Sequence, residues 1–237
     1  MDREKQLYVF IHGAYQSPWM WIPIIDEMAH RIGEINYLLI SLPGYTDNDS
    51  LNNSLSKSIE KIKTVVETKE LVIVGHSLGA SYACILVSLL QIDNNIRLYL
   101  SCMPIAIPTV YITLRLFFEK ILRRSFIYIP IQYIPVFFRS KIITNYSENN
   151  ILMILLKHSN YIDFLLKSKN LKKIYLGSSH MDFIVGSIKH QYNLVEELNK
   201  NSMVTSFTSF GIMGHYPYRL NRKKYIDWLL IDKKVKI

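Results

Sequence analysis

The stretch LVIVGHSLGA, residues 71–80, joins a short apolar run to a serine flanked by glycines. Leu71, Val72, Ile73 and Val74 favour extended structure, and a continuous apolar run of that length suits a strand buried on both faces. Leu78 to Leu90, rich in Ala, Leu and Val, reads as a helix. Ser77 stands between the two. A serine hydroxyl is a weak nucleophile, so it has to stand clear of the backbone with a base beside it and amide donors nearby. A sharp strand-to-helix turn provides that exposure. Gly75 and Gly79 let strand and helix approach closely around a strained Ser77, and the new helix brings its N-terminal amides near developing negative charge.

Similar apolar runs recur on both sides: LYVFI (7–11), NYLLIS (36–41), IRLYLS (96–101), KKIYLG (172–177) and MVTSFTSF (203–210). Between the early runs, helical patterns span 18–32 behind Pro18, 54–68 with Ser54 as N-cap, and 78–90. Strands alternating with helices predict an α/β fold with a mostly parallel sheet and helices on both faces. The alternation stops at 104 and resumes near 172. The expected organisation is therefore a core from 1–103 and 172–237 with a helical cap inserted over 104–171. Within that insertion Val110, Leu114, Phe117, Phe118 and Ile121 share one helical stripe, and Arg115, Glu119 and Arg123 another. A second helical stretch runs through ILMILLKHSNYIDFLLKSK (151–169). A cap lined with Phe, Ile, Leu and Tyr favours an apolar ligand, with plain packing the alternative for any one of these side chains.

The net charge of +9 is concentrated in the same region: residues 104–173 hold eleven Lys and Arg against three Asp and Glu, which is +8 of the total. Such a field steers acidic partners to one face; the plainer reading is that lysine-rich helices keep an apolar segment in solution. With 237 residues, 49% of them hydrophobic, the chain buries a large core without disulfides or metal. Cys84 and Cys102 lie in apolar runs and read as small buried hydrophobes, which fits a reducing compartment. The opening MDREKQLYVFIHG has too short an apolar core for a signal peptide, and prolines and charges break up 104–138 well short of the ~20 clean residues of a membrane span. A cytoplasmic, soluble protein is the expectation.

A serine at such a turn requires an acid after a later strand and then a histidine near the C-terminus. Asp182, in YLGSSHMDFIVGS, follows the run at 172–177, with Asp163 a competing carboxylate. His215, in GIMGHYPYRL, sits in a loop between the last strand and the last helix. In these roles His215 relays the proton of Ser77, and Asp182 holds the imidazole tautomer. Two backbone amides should face the oxyanion: Leu78, next to the nucleophile, and Ala14, in the His-Gly loop after the first strand. His12 reads as a structural residue bonding backbone around that loop, and His76 occupies the variable slot of the turn. His30, His158, His180 and His190 have no metal-ligand spacing, so neither a metal nor a cofactor is expected.

On His12, Gly13, the Gly75 to Gly79 elbow, Asp182 and His215, the chain resembles the α/β-hydrolase superfamily over nearly its full length. HGAYQSPWMW is similar to the start of the small esterase and hydroxynitrile-lyase-like group, with Trp19 and Trp21 at its two tryptophan positions, and LPGY fits the turn after the second strand. The resemblance implies a compact α/β-hydrolase fold with a helical cap. Relatives with such caps include carboxylesterases that cleave the methyl ester of a pimeloyl group on acyl carrier protein in biotin biosynthesis, with basic cap residues meeting the acidic carrier. Here Arg123 and Arg124 would meet such a partner, and Trp19 and Phe117 the acyl substrate. The chain departs from the group in its acid loop, where GSSHMD replaces a short Gly-x-x-Asp.

The expected activity is hydrolysis of an apolar acyl ester through a covalent acyl-enzyme. A thioesterase would use the same residues. Hydroxynitrile lyase chemistry would need a cap lysine over the substrate, and no lysine is singled out. Other readings are a lipase whose basic, apolar cap lies on an anionic membrane surface, and a non-catalytic ligand-binding homologue, which would have no need for all three of Ser77, Asp182 and His215. No nucleic-acid recognition module accompanies the basic residues.

Overall fold

The computed structural model describes residues 6–14, 16–43, 49–66, 70–105, 161–180, 182, 188–212 and 214–232. Six strands, Gln6–Ile11 (β1), Asn36–Ile40 (β2), Glu70–His76 (β3), Ile96–Ser101 (β4), Leu171–Ser178 (β5) and Thr205–Ser209 (β6), form one sheet in the order β2-β1-β3-β4-β5-β6. Every adjacent pair is parallel. This is the parallel α/β core that the alternating pattern predicts. Because the strands share a direction, the loops after β1, β3, β4, β5 and β6 all open on the same edge. One row across the sheet joins Ile11, Gly75, Leu100, Leu176 and Phe207, which puts Ser77 just beyond a central strand.

The helices are Ile22–Ile32 (α1), Leu51–Val66 (α2), Leu78–Leu89 (α3), Tyr161–Lys167 (α4), Ile188–Lys200 (α5), Pro217–Leu220 (α6) and Arg222–Leu229 (α7). Successive strand side chains point to opposite faces, so β1 feeds two cores. Leu7, Val9 and Ile11 pack with α2, α3, α4 and α5, and Tyr8 and Phe10 pack with α1 and α7. Helix α3 is buried from Leu78 to Val87, as a helix apolar all round must be. Helix α4 contributes Tyr161 and Leu165 to the same core, and the Tyr161 hydroxyl lies 3.0 Å from Ser81 Oγ. The remainder of the expected cap, with Phe117, Arg123 and Arg124, lies outside the described residues.

Two helix boundaries differ from the sequence expectation. Ser54 is not an N-cap: α2 begins one turn earlier, where the Ser50 hydroxyl accepts the Asn53 N–H at 3.3 Å, and Ser54 turns inward to meet the Tyr82 hydroxyl at 3.2 Å. Ser54 thus joins Leu55, Ser58 and Ile62 on the buried face of α2 instead of capping it. The helix expected over 18–32 is divided into a 3-10 turn, Pro18–Trp21, and α1. Pro23 lacks the N–H that a continuous α-helix would use there.

At the opposite end of the sheet, Arg97 donates to Glu70 at 2.7 Å and to Asp232 at 2.9 Å, tying the C-terminal segment to β3 and β4. Burial alone would raise the Asp232 carboxyl, but bonds from Tyr175 and Arg97 and the charge of Lys173 hold it below its ordinary value.

Candidate active site

Ser77 connects β3 to α3 with φ 54° and ψ −122°, in the left-handed half of backbone space where an L residue is strained. Its N–H donates to the Ser101 carbonyl at 2.8 Å and its own carbonyl accepts from Ala80 at 2.9 Å, so the surrounding backbone holds the conformation. The glycines are required by close approach. A Cβ on Gly75 would stand 2.6 Å from the Gly79 carbonyl oxygen, and one on Gly79 would stand 2.3 Å from that of His12. The end of β1, the turn and the first turn of α3 therefore touch backbone to backbone.

His215 reaches Ser77 from the loop between β6 and α6, with its Nε2 2.8 Å from Ser77 Oγ. Its Nδ1 lies 3.0 Å from both carboxylate oxygens of Asp182. With Nδ1–H donated to Asp182, Nε2 presents a lone pair to the serine hydroxyl. The Asp182 side chain is fully buried and that of His215 nearly so. The extended GSSHMD loop is closed by two backbone bonds, His180 N–H to the Gly211 carbonyl at 2.9 Å and Asp182 N–H to the Ser179 carbonyl at 3.3 Å. The first of these ties the acid loop to the loop carrying His215. Asp163 stands exposed on α4, so the carboxylate that meets the imidazole is Asp182.

The loop after β1 abuts the serine: a Cβ on Gly13 would come within 3.0 Å of Ser77 Cβ. His12 holds this loop from below. Its Nε2 accepts the Leu42 N–H at 3.0 Å and its Nδ1 donates to the Gly13 carbonyl at 2.8 Å, while burial pushes its pKa down to about 4 and keeps the ring neutral. Gln16 holds it from the side, accepting the Gly13 N–H at 3.0 Å and donating to the Tyr218 hydroxyl at 2.8 Å. Ala14 lies in this braced loop. Leu78 opens α3, where the first N–H groups have no partner within the helix. Trp19 follows on the 3-10 turn with 70% of its surface exposed, whereas Trp21 is buried against Phe10.

A family model described as the alpha/beta hydrolase family matches residues 8–146. The chain belongs to the alpha/beta hydrolase family. No curated protein matches it in sequence. Among solved structures, an esterase (EaEST) from Exiguobacterium antarcticum superimposes with a TM-score of 0.63 at 12% identity, over 96% of this hydrolase and 91% of that chain. A lipase-esterase related protein from Clostridium acetobutylicum gives 0.63 at 12%, over 95% and 93%. An N-formylmaleamic acid deformylase from Pseudomonas putida gives 0.62 at 14%, over 97% and 93%. At these identities the likeness is one of fold.

Two residues of the hydrolase's site carry no role in the sequence reading. His76, fully buried, packs its ring 5.0 Å from that of His215 and bonds Ser101 Oγ through Nδ1 at 3.1 Å; Ser101 Oγ in turn lies 2.9 Å from the Tyr225 hydroxyl. Burial, and then the neighbouring His215 and His12, push its pKa well down, so it backs the His215 ring as a neutral aromatic wall. Cys102 follows β4 at φ 50°, and its Sγ, an Asp182 carboxylate oxygen and a His215 ring nitrogen lie within 4.8 Å of one another. Side-chain type alone hides both: each signal comes from which strands are neighbours. Among the described residues no helix is long and apolar enough to cross a membrane.

Proposed function

We propose that this hydrolase cleaves carboxylic esters of apolar acyl groups through an acyl-enzyme on Ser77. The observation that carries the reading is the buried chain from Ser77 Oγ through the His215 imidazole to Asp182, at 2.8 Å and 3.0 Å, on a strained turn. As Ser77 Oγ bonds to the carbonyl carbon, its proton passes to His215 Nε2, and Asp182 stabilises the imidazolium. The amides of Leu78 and Ala14 take the negative charge that develops on the carbonyl oxygen. Collapse of the tetrahedral adduct breaks the ester C–O bond, and His215 returns the proton to the departing alcohol. Water, deprotonated by His215, then releases the acid and restores Ser77.

The finer reading, a methyl ester of an acyl chain held by an acidic carrier protein, is supported by the +8 charge of residues 104–173. The test is a panel of p-nitrophenyl, methyl and thioester substrates of increasing chain length, free and carrier-bound. Wild type is compared with Ser77→Ala and with a variant neutralising Arg123 and Arg124. Loss of all turnover in Ser77→Ala supports ester hydrolysis, and selective loss of carrier-bound substrates in the arginine variant supports the carrier. Turnover of thioesters alone would replace the ester reading with a thioesterase.

A further inference from the structure

We propose that Gln16 is a positioning residue: its side chain ties the loop that carries Ala14 to the segment that carries His215, and so keeps the Ala14 N–H aimed at the oxyanion. The inference rests on the reading of Ser77 as nucleophile and Ala14 as an oxyanion donor. Such a donor helps most when it is aimed before the charge develops, since a backbone that must turn during the reaction loses the advantage. A glycine precedes Ala14, so the peptide between them turns readily unless something holds it. Three bonds hold it. The Gly13 carbonyl accepts from His12 Nδ1 at 2.8 Å and from the Gln16 N–H at 3.3 Å, and the Gly13 N–H donates to Gln16 Oε1 at 3.0 Å. The Gly13–Ala14 peptide is trans, so its N–H points opposite to its carbonyl. Holding the Gly13 carbonyl toward His12 and Gln16 therefore turns the Ala14 N–H the other way, and Gln16 makes two of the three bonds.

The side-chain amide reaches further. A backbone N–H can only donate, so the oxygen of the Gln16 amide faces Gly13, and its NH2 group donates to the Tyr218 hydroxyl at 2.8 Å. Tyr218 is buried on α6, just after His215, and its ring packs edge-on to His76 at 5.0 Å and against Trp21 and Tyr225 at 6.1 Å. The amide is thus anchored on a wall of packed rings at one end and on the oxyanion loop at the other. The loop end bears on the nucleophile directly. A Cβ on Gly13 would stand 2.9 Å from Gln16 Oε1 and 3.0 Å from Ser77 Cβ, so the glutamine oxygen and the serine meet the glycine on one side. Releasing the amide frees the Gly13 peptide where it touches Ser77.

The experiment compares wild type with Gln16→Met, which keeps the length and loses both side-chain bonds, with Tyr218→Phe, which removes only the far anchor, and with the double variant. In ester hydrolysis Gln16→Met should lower kcat by roughly tenfold to a hundredfold with KM within about twofold, because the aim of Ala14 is felt once the oxyanion forms. Binding of an alkyl trifluoromethyl ketone, whose serine adduct carries an oxyanion, should weaken by the same factor as kcat/KM falls. Tyr218→Phe should cost less, and the double variant no more than Gln16→Met alone, since both act through one amide. By NMR, the Gly13 amide should exchange its hydrogen roughly fivefold faster in Gln16→Met, with the amides of β1 unchanged. A kcat within about twofold of wild type in Gln16→Met, a loss confined to KM, additive losses in the double variant, or an unchanged Gly13 exchange rate would overturn the proposal. Should Gln16→Met fail to fold, Gln16→Asn, too short to span both bonds, takes its place with the same readings. Exchange at Gly13 needs no substrate. Absence of ester hydrolysis by wild type would therefore sink the proposed function, while the exchange rate still decides whether Gln16 holds the peptide.

Discussion

Replacing His12 by Gln should change how stability depends on pH, by an amount the structure sets. His12 is fully buried, accepting from Leu42 and donating to the Gly13 carbonyl, and burial pushes its pKa down to about 4, a shift that the bond to Gly13 only partly offsets. In the unfolded chain a histidine titrates near 6.5. Between these values the unfolded state binds a proton at this ring and the folded state does not, so stability falls as pH falls through that window. Each pH unit costs about 1.4 kcal/mol, and the step from pH 7 to pH 5 therefore costs about 2 kcal/mol at this one site. Glutamine offers an acceptor and a donor but no titration. Urea unfolding at both pH values should show wild type losing about 2 kcal/mol more than His12→Gln on acidification. His76, also pushed well down, is present in both proteins, and because its burial and then His215 weigh more on it than His12 does, it largely cancels. Equal losses in the two proteins would refute a neutral, buried His12 beneath the loop that carries Ala14.

Gly79→Ala places a methyl group 2.3 Å from the His12 carbonyl oxygen and 2.6 Å from that of Ile11, both immovable backbone, and should cost about 3 kcal/mol by urea titration. Gly211→Ala meets nothing within 4 Å but sits at φ 89°, and should cost only about 1 kcal/mol. Asp182→Asn should leave the fold intact by circular dichroism and lower kcat for ester hydrolysis by about four orders of magnitude, since the amide favours the wrong imidazole tautomer. Arg97→Met leaves Glu70 and Asp232 without their shared cation and should lower stability by roughly 3 kcal/mol, with ester hydrolysis at 25 °C unchanged.

The parts of this fold that read directly from sequence are those set by local physics. The apolar run before Ser77, the glycines on either side of it and the apolar helix after it identify the turn without reference to any distant residue. Asp182 and His215 are legible by chain order, because parallel strands bring the loops after β5 and β6 to the edge where Ser77 stands. Between Asp182 and Asp163 the sequence does not decide; packing does, by burying one carboxylate against the imidazole and leaving the other exposed on α4. Ser54 reads as a cap because serine is a good one, whereas its inward bond to Tyr82 depends on a helix that follows the next strand. Cys102 and His76 are hidden for the same reason. Their surroundings are made by the adjacency of β3, β4 and β5, and no local pattern announces it.

If Ser77 is a nucleophile activated by His215, a serine-reactive fluorophosphonate should label it, as read by intact mass and peptide mapping of the adduct. A single adduct on Ser77 is expected in wild type, none in Ser77→Ala, and labelling slowed by about two orders of magnitude or more in His215→Gln. A wild type that stays unlabelled, or an adduct that forms elsewhere and persists in Ser77→Ala, would contradict it.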